Sequence, residues 1–265
     1  MFERIRRSIS HPKYAFLYIK DKLSRVFLYI FILTTIMSAP TIIIGILSPI
    51  QIVPSHNEIS RNIDRFINQD IKIENNILIT PTNYNSRTNI NMFHIVFGEM
   101  FYNDTGYFLV FEEEQIRTYL SAGNGLRIIG EEYTYESLNI NNLEFNNTNK
   151  RQITNIITTT FANDSKIITS IVISVFFTNL LDLLLLILFL SIIANMLKRL
   201  PIKFSDHFKI NTYVATIYAI LSLILILFGL TYLSIIPFIV TYIYQVRAYS
   251  SIKIIKKIEV KNKDE

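Results

Sequence analysis

Apolar runs long enough to cross a bilayer alternate with polar stretches along this chain of 265 residues. The longest run covers residues 167–197 and contains one ionisable side chain, Asp182, while a second run without any charge covers residues 26–47. A helix rises about 1.5 Å per residue, so roughly 20 residues match a hydrocarbon core about 30 Å thick. We therefore predict membrane-spanning helices at 26–48 and 167–197.

A third apolar stretch, residues 211–245, is too long for one straight span because it runs for 35 residues without a charge. Gly229 lies near its middle and Pro237 follows, and both residue types interrupt helices. We predict two short spans here, at 212–228 and 231–246, preceded by a loop at 198–211. The total is four spans. The alternative of three spans would place the basic carboxyl tail on the same side as the large polar segment.

Between the first two spans, residues 49–166 have the composition of a water-soluble domain. Apolar residues at helical spacing predict a helix over HNEISRNIDRFINQD (56–70) and another over NKRQITNIITTTFA (149–162) that leads into the 167–197 span. The short segments between these helices are typical of strands. The domain is therefore predicted to have an α+β fold that contains an antiparallel sheet.

Turn signals divide the strand-like segments of this domain. Asn75 and Asn76 predict a tight turn within IKIENNILIT, and YNDTG (102–106) predicts a hairpin between MFHIVFGEMF and TGYFLVFEEE. GLRIIG and EEYTYESLNI are interpreted as a further pair of strands around Gly130. The glycine cluster of SAGNGLRIIG is interpreted as a turn, because it lacks the basic residue that a phosphate-binding loop needs.

The net charge of +5 would suit a nucleic-acid partner, but its distribution argues against one. Residues 50–166 contain 9 Lys or Arg against 14 Asp or Glu, whereas the rest of the chain contains 17 against 7. Basic residues beside span ends favour the cytoplasm. We therefore expect a multi-pass protein of a bacterial plasma membrane, with cytoplasmic termini (1–25 and 247–265), an extracytoplasmic domain at 49–166 and no nucleic-acid partner.

The first 25 residues combine basic side chains with Phe2, Ile5 and Ile9 on one helical face, and Pro12 permits a second short helix. This pattern is typical of an amphipathic segment that lies on the anionic cytoplasmic leaflet of the bilayer. The alternative is a solvated basic tail that only fixes the topology. The residues predicted to contact the membrane surface are Arg4, Arg6, Arg7, Lys20, Lys22 and Arg25.

Residue types that perform catalysis or hold cofactors are scarce. The chain has no Cys, which excludes disulfides, thiolate metal sites and cysteine nucleophiles. Its four histidines lack the spacing of a zinc site, and His94, within an apolar strand pattern, is interpreted as a core or surface histidine. The three glutamates at 112–114 are interpreted as a solvated strand end rather than a calcium loop. We expect no enzyme activity, no metal and no cofactor.

Asp182 and three neighbours form a polar stripe on the predicted 167–197 span. Ser174, Thr178 and Asp182 recur every four residues, with Asn179 beside them. Asp182 is expected about 6 Å below the outer edge of the hydrocarbon core, where a charge costs less than at the centre. We interpret the stripe as a contact between helices, and the alternative is a role in transport or proton relay. The expected partners are Thr34, Thr35 or Ser38 of the first span, or Thr216 and Tyr218 of the third.

Three stretches resemble a known family: SHPKYAFLYIKDKLSRVFLYIFILTTIMSAPTI (10–42), IKIENNIL (71–78) and DLLLLILFLSIIANMLKRLPIKFSDHFKINTYVATI (182–217). They are similar to uncharacterised four-span membrane proteins of Gram-positive bacteria, of about 260 residues against 265 here. Many of those proteins are labelled maltodextrin-utilisation membrane proteins. The resemblance implies a role in the cell envelope, beside carbohydrate uptake, and it implies no catalytic residue.

Two functions are compatible with these expectations. The first is a non-enzymatic membrane protein whose extracytoplasmic domain senses an envelope component or binds a membrane or envelope protein partner. The alternative is an accessory subunit of a sugar transport system. We favour the first, because four short spans with one shallow carboxylate offer little material for a translocation path.

Overall fold

The computed structural model describes residues 2–82, 84–98, 104–196 and 202–261. Lys198 and Arg199 of the predicted loop, Tyr102 and Asn103 of the predicted YNDTG hairpin, and Lys263 of the tail lie outside the described residues. The helices in chain order are α1 (Phe2–Ser10), α2 (Leu23–Leu47), α3 (His56–Asn62), α4 (Lys150–Asn163), α5 (Ser165–Met196), α6 (Phe204–Val214), α7 (Thr216–Leu227) and α8 (Ile235–Lys261). The strands are β1 (Lys72–Glu74), β2 (Ile77–Ile79), β3 (Ser86–Ile90), β4 (Phe93–Phe97), β5 (Thr105–Phe111), β6 (Gln115–Gly123), β7 (Leu126–Thr134) and β8 (Asn142–Glu144).

The chain divides into two compact units. The helical unit combines both ends of the chain, Met1–Pro40 and Ser174–Glu265, and the sheet unit is the segment between them, Thr41–Ile173. Two helices, α2 and α5, each contribute residues to both units. The sheet unit is therefore an insertion between two segments that fold together.

Three stretches of the described residues are long and apolar enough to cross a membrane: Leu23–Leu47, Ser165–Met196 and Phe204–Leu227. Two of them, α2 and α5, consist mostly of apolar residues, yet Phe31 and Leu185 on these helices are 53% and 62% exposed. A helix with so much exposed apolar surface needs a nonpolar surrounding. These features indicate that the protein associates with a membrane.

The third of these stretches begins at Phe204, inside the segment predicted to be a loop, and it is interrupted at Ala215 between α6 and α7. The polar residues that suggested a loop find partners within the helical unit. Lys209 Nζ donates to the Ile19 carbonyl at 2.8 Å and pairs with Asp206 at 3.5 Å. Because these polar side chains have hydrogen-bond and ion-pair partners, they can lie on a helix that packs inside the helical unit.

Gly229 separates α7 from the last helix, as the sequence predicts. It adopts a φ of 67°, and the Leu230 N–H donates to the Leu225 carbonyl at 2.8 Å, which is the bonding of a Schellman cap. α8 begins at Ile235 and continues past Arg247 to Lys261, so the described part of the predicted tail at 247–265 is helical.

The amino-terminal segment packs onto the helical unit. α1 is followed by a 3₁₀ helix, Pro12–Lys20, which confirms the predicted break at Pro12. Ala15 of this 3₁₀ helix is buried in one apolar cluster with Tyr29 of α2 and Ile187 of α5. The segment therefore forms part of the core of the helical unit.

The sheet unit contains a three-stranded antiparallel sheet, ordered β2-β1-β8, and a five-stranded sheet, ordered β3-β4-β5-β6-β7. One face of the larger sheet packs against α3 and α4 around Phe97, Phe111 and Phe161. The Phe97 and Phe111 rings stack with their centroids 4.4 Å apart. This core confirms that the segment is an α+β domain.

Two predicted turns are confirmed. Asn75 and Asn76 connect β1 to β2 with φ values of 50° and 65°, and Asn124 and Gly125 connect β6 to β7 with φ values of 52° and 78°. Two successive residues with positive φ are the requirement of a tight hairpin turn, and Asn and Gly are the residues that adopt them most readily.

The predicted hairpin around YNDTG is wrong in direction. β4 and β5 are neighbours, but they pair in parallel, with Phe93 opposite Tyr107 and Phe97 opposite Phe111. Alternation of apolar residues has the same period of two in either strand direction, so the sequence pattern could not distinguish the two arrangements. The other pairs of the five-stranded sheet are antiparallel.

The predicted turn at Gly130 is also wrong. Gly130 lies within β7, which runs without a break from Leu126 to Thr134. The pairing of β6 with β7 instead shifts its register between Arg117 and Tyr119, opposite this glycine. A glycine within a strand often marks such an irregularity or a close approach of another group, and both apply here.

Candidate functional site

The predicted polar stripe on α5 divides between the interior and the surface of the helical unit. Asn179 Nδ2 donates to the Ser38 Oγ of α2 at 3.0 Å, and Ser38 is buried. Ser174, Thr178 and Asp182 are exposed. Of the four residues, only Asn179 therefore reaches a partner on the first predicted span.

Asp182 lines a cavity of about 450 Å³ within the helical unit. Its polar lining also includes Tyr218 of α7 and Ser234, and its apolar lining includes Leu186 and Phe238. One carboxylate and two hydroxyls can bind a polar group, but they do not form the set of ligands that a metal site needs. In the part of the chain that the structure describes, no group of three or more His, Cys, Asp or Glu is placed to hold a metal ion.

The basic residues predicted at the membrane surface fall into two groups. Arg6, Arg7, Lys20, Lys22 and Arg25 are exposed. Arg4, in contrast, is 21% exposed and forms a 2.8 Å ion pair with Asp21. Arg25 also approaches Asp21, at 3.3 Å.

Asp21 links this amino-terminal segment to α6. Its side chain is 9% exposed, and Oδ2 accepts a hydrogen bond from the Tyr213 hydroxyl. The Arg4 guanidinium lies 5.1 Å from the centre of the Tyr18 ring, within the range of a cation–π contact. Arg4 therefore serves the packing of the amino-terminal segment, where the sequence had suggested contact with lipid headgroups.

A second polar cluster is buried between α5, α6 and α8. His207 Nδ1 lies 2.9 Å from the Tyr249 hydroxyl, and the two rings stack. Asn211 Nδ2 donates to the Ser191 hydroxyl at 3.2 Å. All four side chains are buried, so these hydrogen bonds hold the last helix against α6 in surroundings where an unpaired polar group would be costly.

The Asp164 carboxylate lies where α4 ends and α5 begins. Asp164 is fully buried and has an extended backbone, with φ −75° and ψ 106°. Its Oδ1 accepts hydrogen bonds from the backbone N–H groups of Lys166, at 2.8 Å, and Ile167, at 3.0 Å. This is an N-cap, which satisfies amide groups of the first helical turn and places negative charge at the positive end of the helix dipole.

The other oxygen of the same carboxylate binds the five-stranded sheet. Oδ2 accepts hydrogen bonds from the Glu131 N–H at 3.0 Å and from the Thr118 hydroxyl. Thr118 lies on β6 and Glu131 on β7. One carboxylate therefore joins two adjacent strands to the first turn of α5. We call Asp164, Thr118, Gly130 and Glu131 the Asp164 junction.

Gly130 makes the junction possible. A Cβ atom at this position would collide with Asp164 Oδ2 and with Thr118 Oγ1. Burial, with a smaller contribution from the nearby Asp164 and Glu131, raises the pKa of Tyr133 to about 12. The Tyr133 hydroxyl is therefore neutral at physiological pH.

The sequence patterns do not single out Asp164, Asp21 or His207 as site residues. A signal for Asp164 was present, because an Asp directly before Ser165 and a long apolar run is typical of a helix start. Asp21 and His207 gave no comparable signal. Their partners lie 192 and 42 residues away in the chain, and a local sequence pattern cannot indicate partners that are so far apart.

The comparisons with known proteins place the chain in a family. A search of curated proteins and a search of solved structures found no significant match. A family model matches residues 2–249, which is nearly the whole chain, and its description is "Protein of unknown function (DUF1189)". The chain therefore belongs to the DUF1189 family of proteins of unknown function.

Proposed function

We propose that this chain is a non-enzymatic, multi-pass protein of the plasma membrane in Gram-positive bacteria. Its sheet unit faces away from the cytoplasm, where it senses an envelope component or binds a membrane or envelope protein. The observation that carries the proposal is the Asp164 junction. A single buried carboxylate ties β6 and β7 to the start of α5, which continues into the helical unit.

The junction offers a direct route for a signal. Thr118 and Glu131 sit on two strands, so a partner that shifts these strands must also move the oxygen that binds them. The second oxygen of the same carboxylate holds the Lys166 and Ile167 amides. A shift of these strands would therefore also move the first turn of α5, the helix that we propose crosses the membrane.

The arrangement of the helical unit supports four spans with both termini in the cytoplasm. Tyr249 of α8 contacts His207 near the start of α6, and Gln245 Nε2 donates to the Leu190 carbonyl near the end of α5 at 2.6 Å. α7 leads away from that level, so α8 must return to it. Residues 235–249 measure about 22 Å as a helix, which makes a short fourth crossing.

The exposed basic residues support contact with the anionic cytoplasmic leaflet. Arg6, Arg7, Lys20 and Lys22 project from the segment that precedes the first predicted span. Each such residue near an anionic surface contributes about 1 kcal/mol of attraction. Arg4 is excluded from this group by its ion pair with Asp21.

The proposal is tested by cross-linking in intact cell membranes, followed by affinity capture of the full chain. We expect the wild type to capture a membrane or envelope protein, and a variant lacking residues 50–166 to lose it. Capture of the same protein by the deleted variant would show that the sheet unit is not the binding element. The control is Asp70→Asn, which changes an exposed carboxylate of the sheet unit.

The cavity beside Asp182 favours a second candidate, an accessory subunit of a sugar transport system. It lies among helices that we propose to be embedded in the membrane and presents Asp182, Tyr218 and Ser234. The full chain in lipid nanodiscs can be titrated with maltodextrins. Saturable binding that Asp182→Asn removes would favour this candidate. No binding, together with normal growth of a deletion strain on maltose, would exclude it.

A further inference from the structure

Large apolar side chains are exposed at one end of the strands of the five-stranded sheet. Leu126 and Ile128, at the start of β7, are 69% and 56% exposed. Met92, in the turn between β3 and β4, is 55% exposed. Water is an unfavourable surrounding for three such side chains at one edge of a sheet.

The strand register brings these side chains to the same edge. β4 and β5 run parallel, so the start of β4 lies beside the start of β5. Thr105, the first residue of β5, pairs with Ala122 near the end of β6, and the Asn124–Gly125 turn follows. We call this end of the strands, with Met92, Leu126 and Ile128, the Leu126 edge.

The Leu126 edge lies in the direction in which α5 becomes apolar. The Glu131 N–H binds Asp164, and two residues earlier on β7 the Ile129 carbonyl accepts from Lys166 Nζ at 2.8 Å. Towards its own start, β7 therefore contacts side chains from residues further along α5. At about 3.3 Å per residue, Leu126 extends about 10 Å beyond Ile129 towards the apolar part of α5.

The apolar ends of two candidate spans begin a similar distance beyond Lys166. Val172 is about 9 Å beyond Lys166 along α5, at about 1.5 Å per residue. A Cβ on Gly45 of α2 would lie 2.9 Å from the Val172 side chain, so the two helices meet here. Ile46 and Leu47 beside Gly45 are 74% and 75% exposed. Their exposure indicates that lipid surrounds these helix ends.

Charge separates this edge from the opposite one. The turn between β5 and β6, at the far edge, carries the three glutamates at 112–114. Arg127 and Lys166 lie by the Leu126 edge instead, and the one carboxylate that directly precedes β5 at this end, Asp104, is paired with Arg87. Anionic headgroups attract cations and repel carboxylates, so only one edge of the sheet suits a bilayer surface.

We propose that the Leu126 edge inserts into the interfacial layer of the bilayer that α2 and α5 cross. This proposal rests on the membrane-spanning part of the proposed function, but it requires no partner of the sheet unit. The sheet unit then has two attachments, the lipid contact of the Leu126 edge and the hydrogen bonds of the Asp164 junction. Together these attachments set the orientation of the sheet unit relative to the bilayer.

The absence of tryptophan from the chain makes a clean test possible. Leu126→Trp and Ile128→Trp each introduce a single reporter at the proposed contact. The matched control is Ile77→Trp, because Ile77 on β2 is 43% exposed and its neighbour Leu78 donates to the Glu113 carbonyl at the acidic edge. A fourth variant, Leu181→Trp, reports on α5 itself.

Each full-length variant is reconstituted in anionic vesicles with and without lipids brominated on their acyl chains. We expect the tryptophan emission of Leu126→Trp at a shorter wavelength than that of Ile77→Trp, with loss of intensity in brominated lipid. Ile128→Trp should behave like Leu126→Trp, and it replaces that variant should the latter fail to fold. Ile77→Trp should keep its intensity.

The remaining outcomes separate the alternatives. Quenching of Leu181→Trp alone would overturn the insertion of this edge and leave the proposed spans intact. Quenching of neither α5 nor the edge would overturn both. Short-wavelength emission at position 126 without lipid quenching would mean that protein, for example a second copy of the chain, covers the edge, and this result would also overturn the proposal.

Discussion

Asp164 is a fully buried carboxylate with four hydrogen-bond donors around it: the amides of Glu131, Lys166 and Ile167 and the hydroxyl of Thr118. Three of the four are backbone N–H groups, which can only donate, and between them they contact both oxygens of the carboxylate, so the site suits a group with two acceptor oxygens. An ionised carboxylate meets this requirement, whereas an amide brings one acceptor and one donor. The local chemistry therefore specifies Asp at this position.

Asp164→Asn is expected to destabilise the sheet unit. One side of the new amide would face N–H donors, and leaving a buried donor without a partner costs about 1–3 kcal/mol. Hydrogen exchange of the Lys166 and Ile167 amides should become faster, and thermal unfolding in nanodiscs should begin at lower temperature. Asp70→Asn is the control, because Asp70 is exposed and its φ of 55° suits Asn equally well. Unchanged exchange at both amides would contradict the role given to the carboxylate.

His94 should make the stability of the sheet unit depend on pH. Burial lowers its pKa, a nearby Arg87 lowers it further, and the hydrogen bond to the Thr105 carbonyl opposes this shift. The unfolded state, with a histidine pKa of about 6.5, then binds a proton more readily than the folded state. The stabilisation is complete above about pH 6.5 and is lost as pH falls below it. Denaturation between about pH 5 and 8 checks this, and His94→Gln should flatten the profile while His56→Gln should not.

Asp182 differs from the buried Asp164, because its side chain is exposed and makes no hydrogen bond or ion pair within the described ranges. We expect Asp182→Asn to leave assembly and abundance in the membrane unchanged. Size-exclusion chromatography of the solubilised protein checks this. Loss of cellular function despite intact assembly would favour the transport role.

At the scale of elements, the amino-terminal segment behaves as part of the helical unit. Asp21 accepts from Tyr213 and pairs with Arg4 and Arg25, so α1 and the 3₁₀ helix are tied to α6 through one carboxylate. Buried pairs respond strongly to the loss of one partner, because the other charge is left uncompensated.

Asp21→Asn should therefore release this segment, and trypsin should cleave several times faster at Lys20 and Lys22. The matched control is Glu3→Gln, which removes a 2.7 Å ion pair with Arg7 in an exposed position. Exposed pairs contribute about 0–1 kcal/mol, so the control should change cleavage little. Equal rates for the two variants would show that Asp21 does not hold the segment.

The sequence predicted elements whose formation depends on local chemistry. The break at Pro12, the end of α7 at Gly229 and the turns at Asn75–Asn76 and Asn124–Gly125 were all identified, since each depends on residues that adopt special backbone angles. Strand direction at β4–β5 and the helical start at Phe204 were missed. Both depend on partners far along the chain, as Lys209 with Ile19 shows.

At the scale of the whole molecule, topology is the most direct prediction. Reporters that are active only in the cytoplasm, fused before residue 1 and after residue 265, should both be active, because α8 returns to the level of His207 and Leu190. A fusion at the 84–85 position of the sheet unit should be silent and serves as the control. A silent carboxyl-terminal fusion would contradict four spans and favour three.

The helical unit is assembled from the two ends of the chain, and this affects the order of events during synthesis. The Tyr244 hydroxyl donates to the Ile9 carbonyl across 235 residues. At about 5–20 residues per second, ribosomes need roughly 10–50 s to bridge that interval. Until α8 emerges, the His207 and Asn211 side chains lack Tyr249. Nascent chains released early would leave these polar groups without their partners, and incompletely folded chains are the ones that proteases remove.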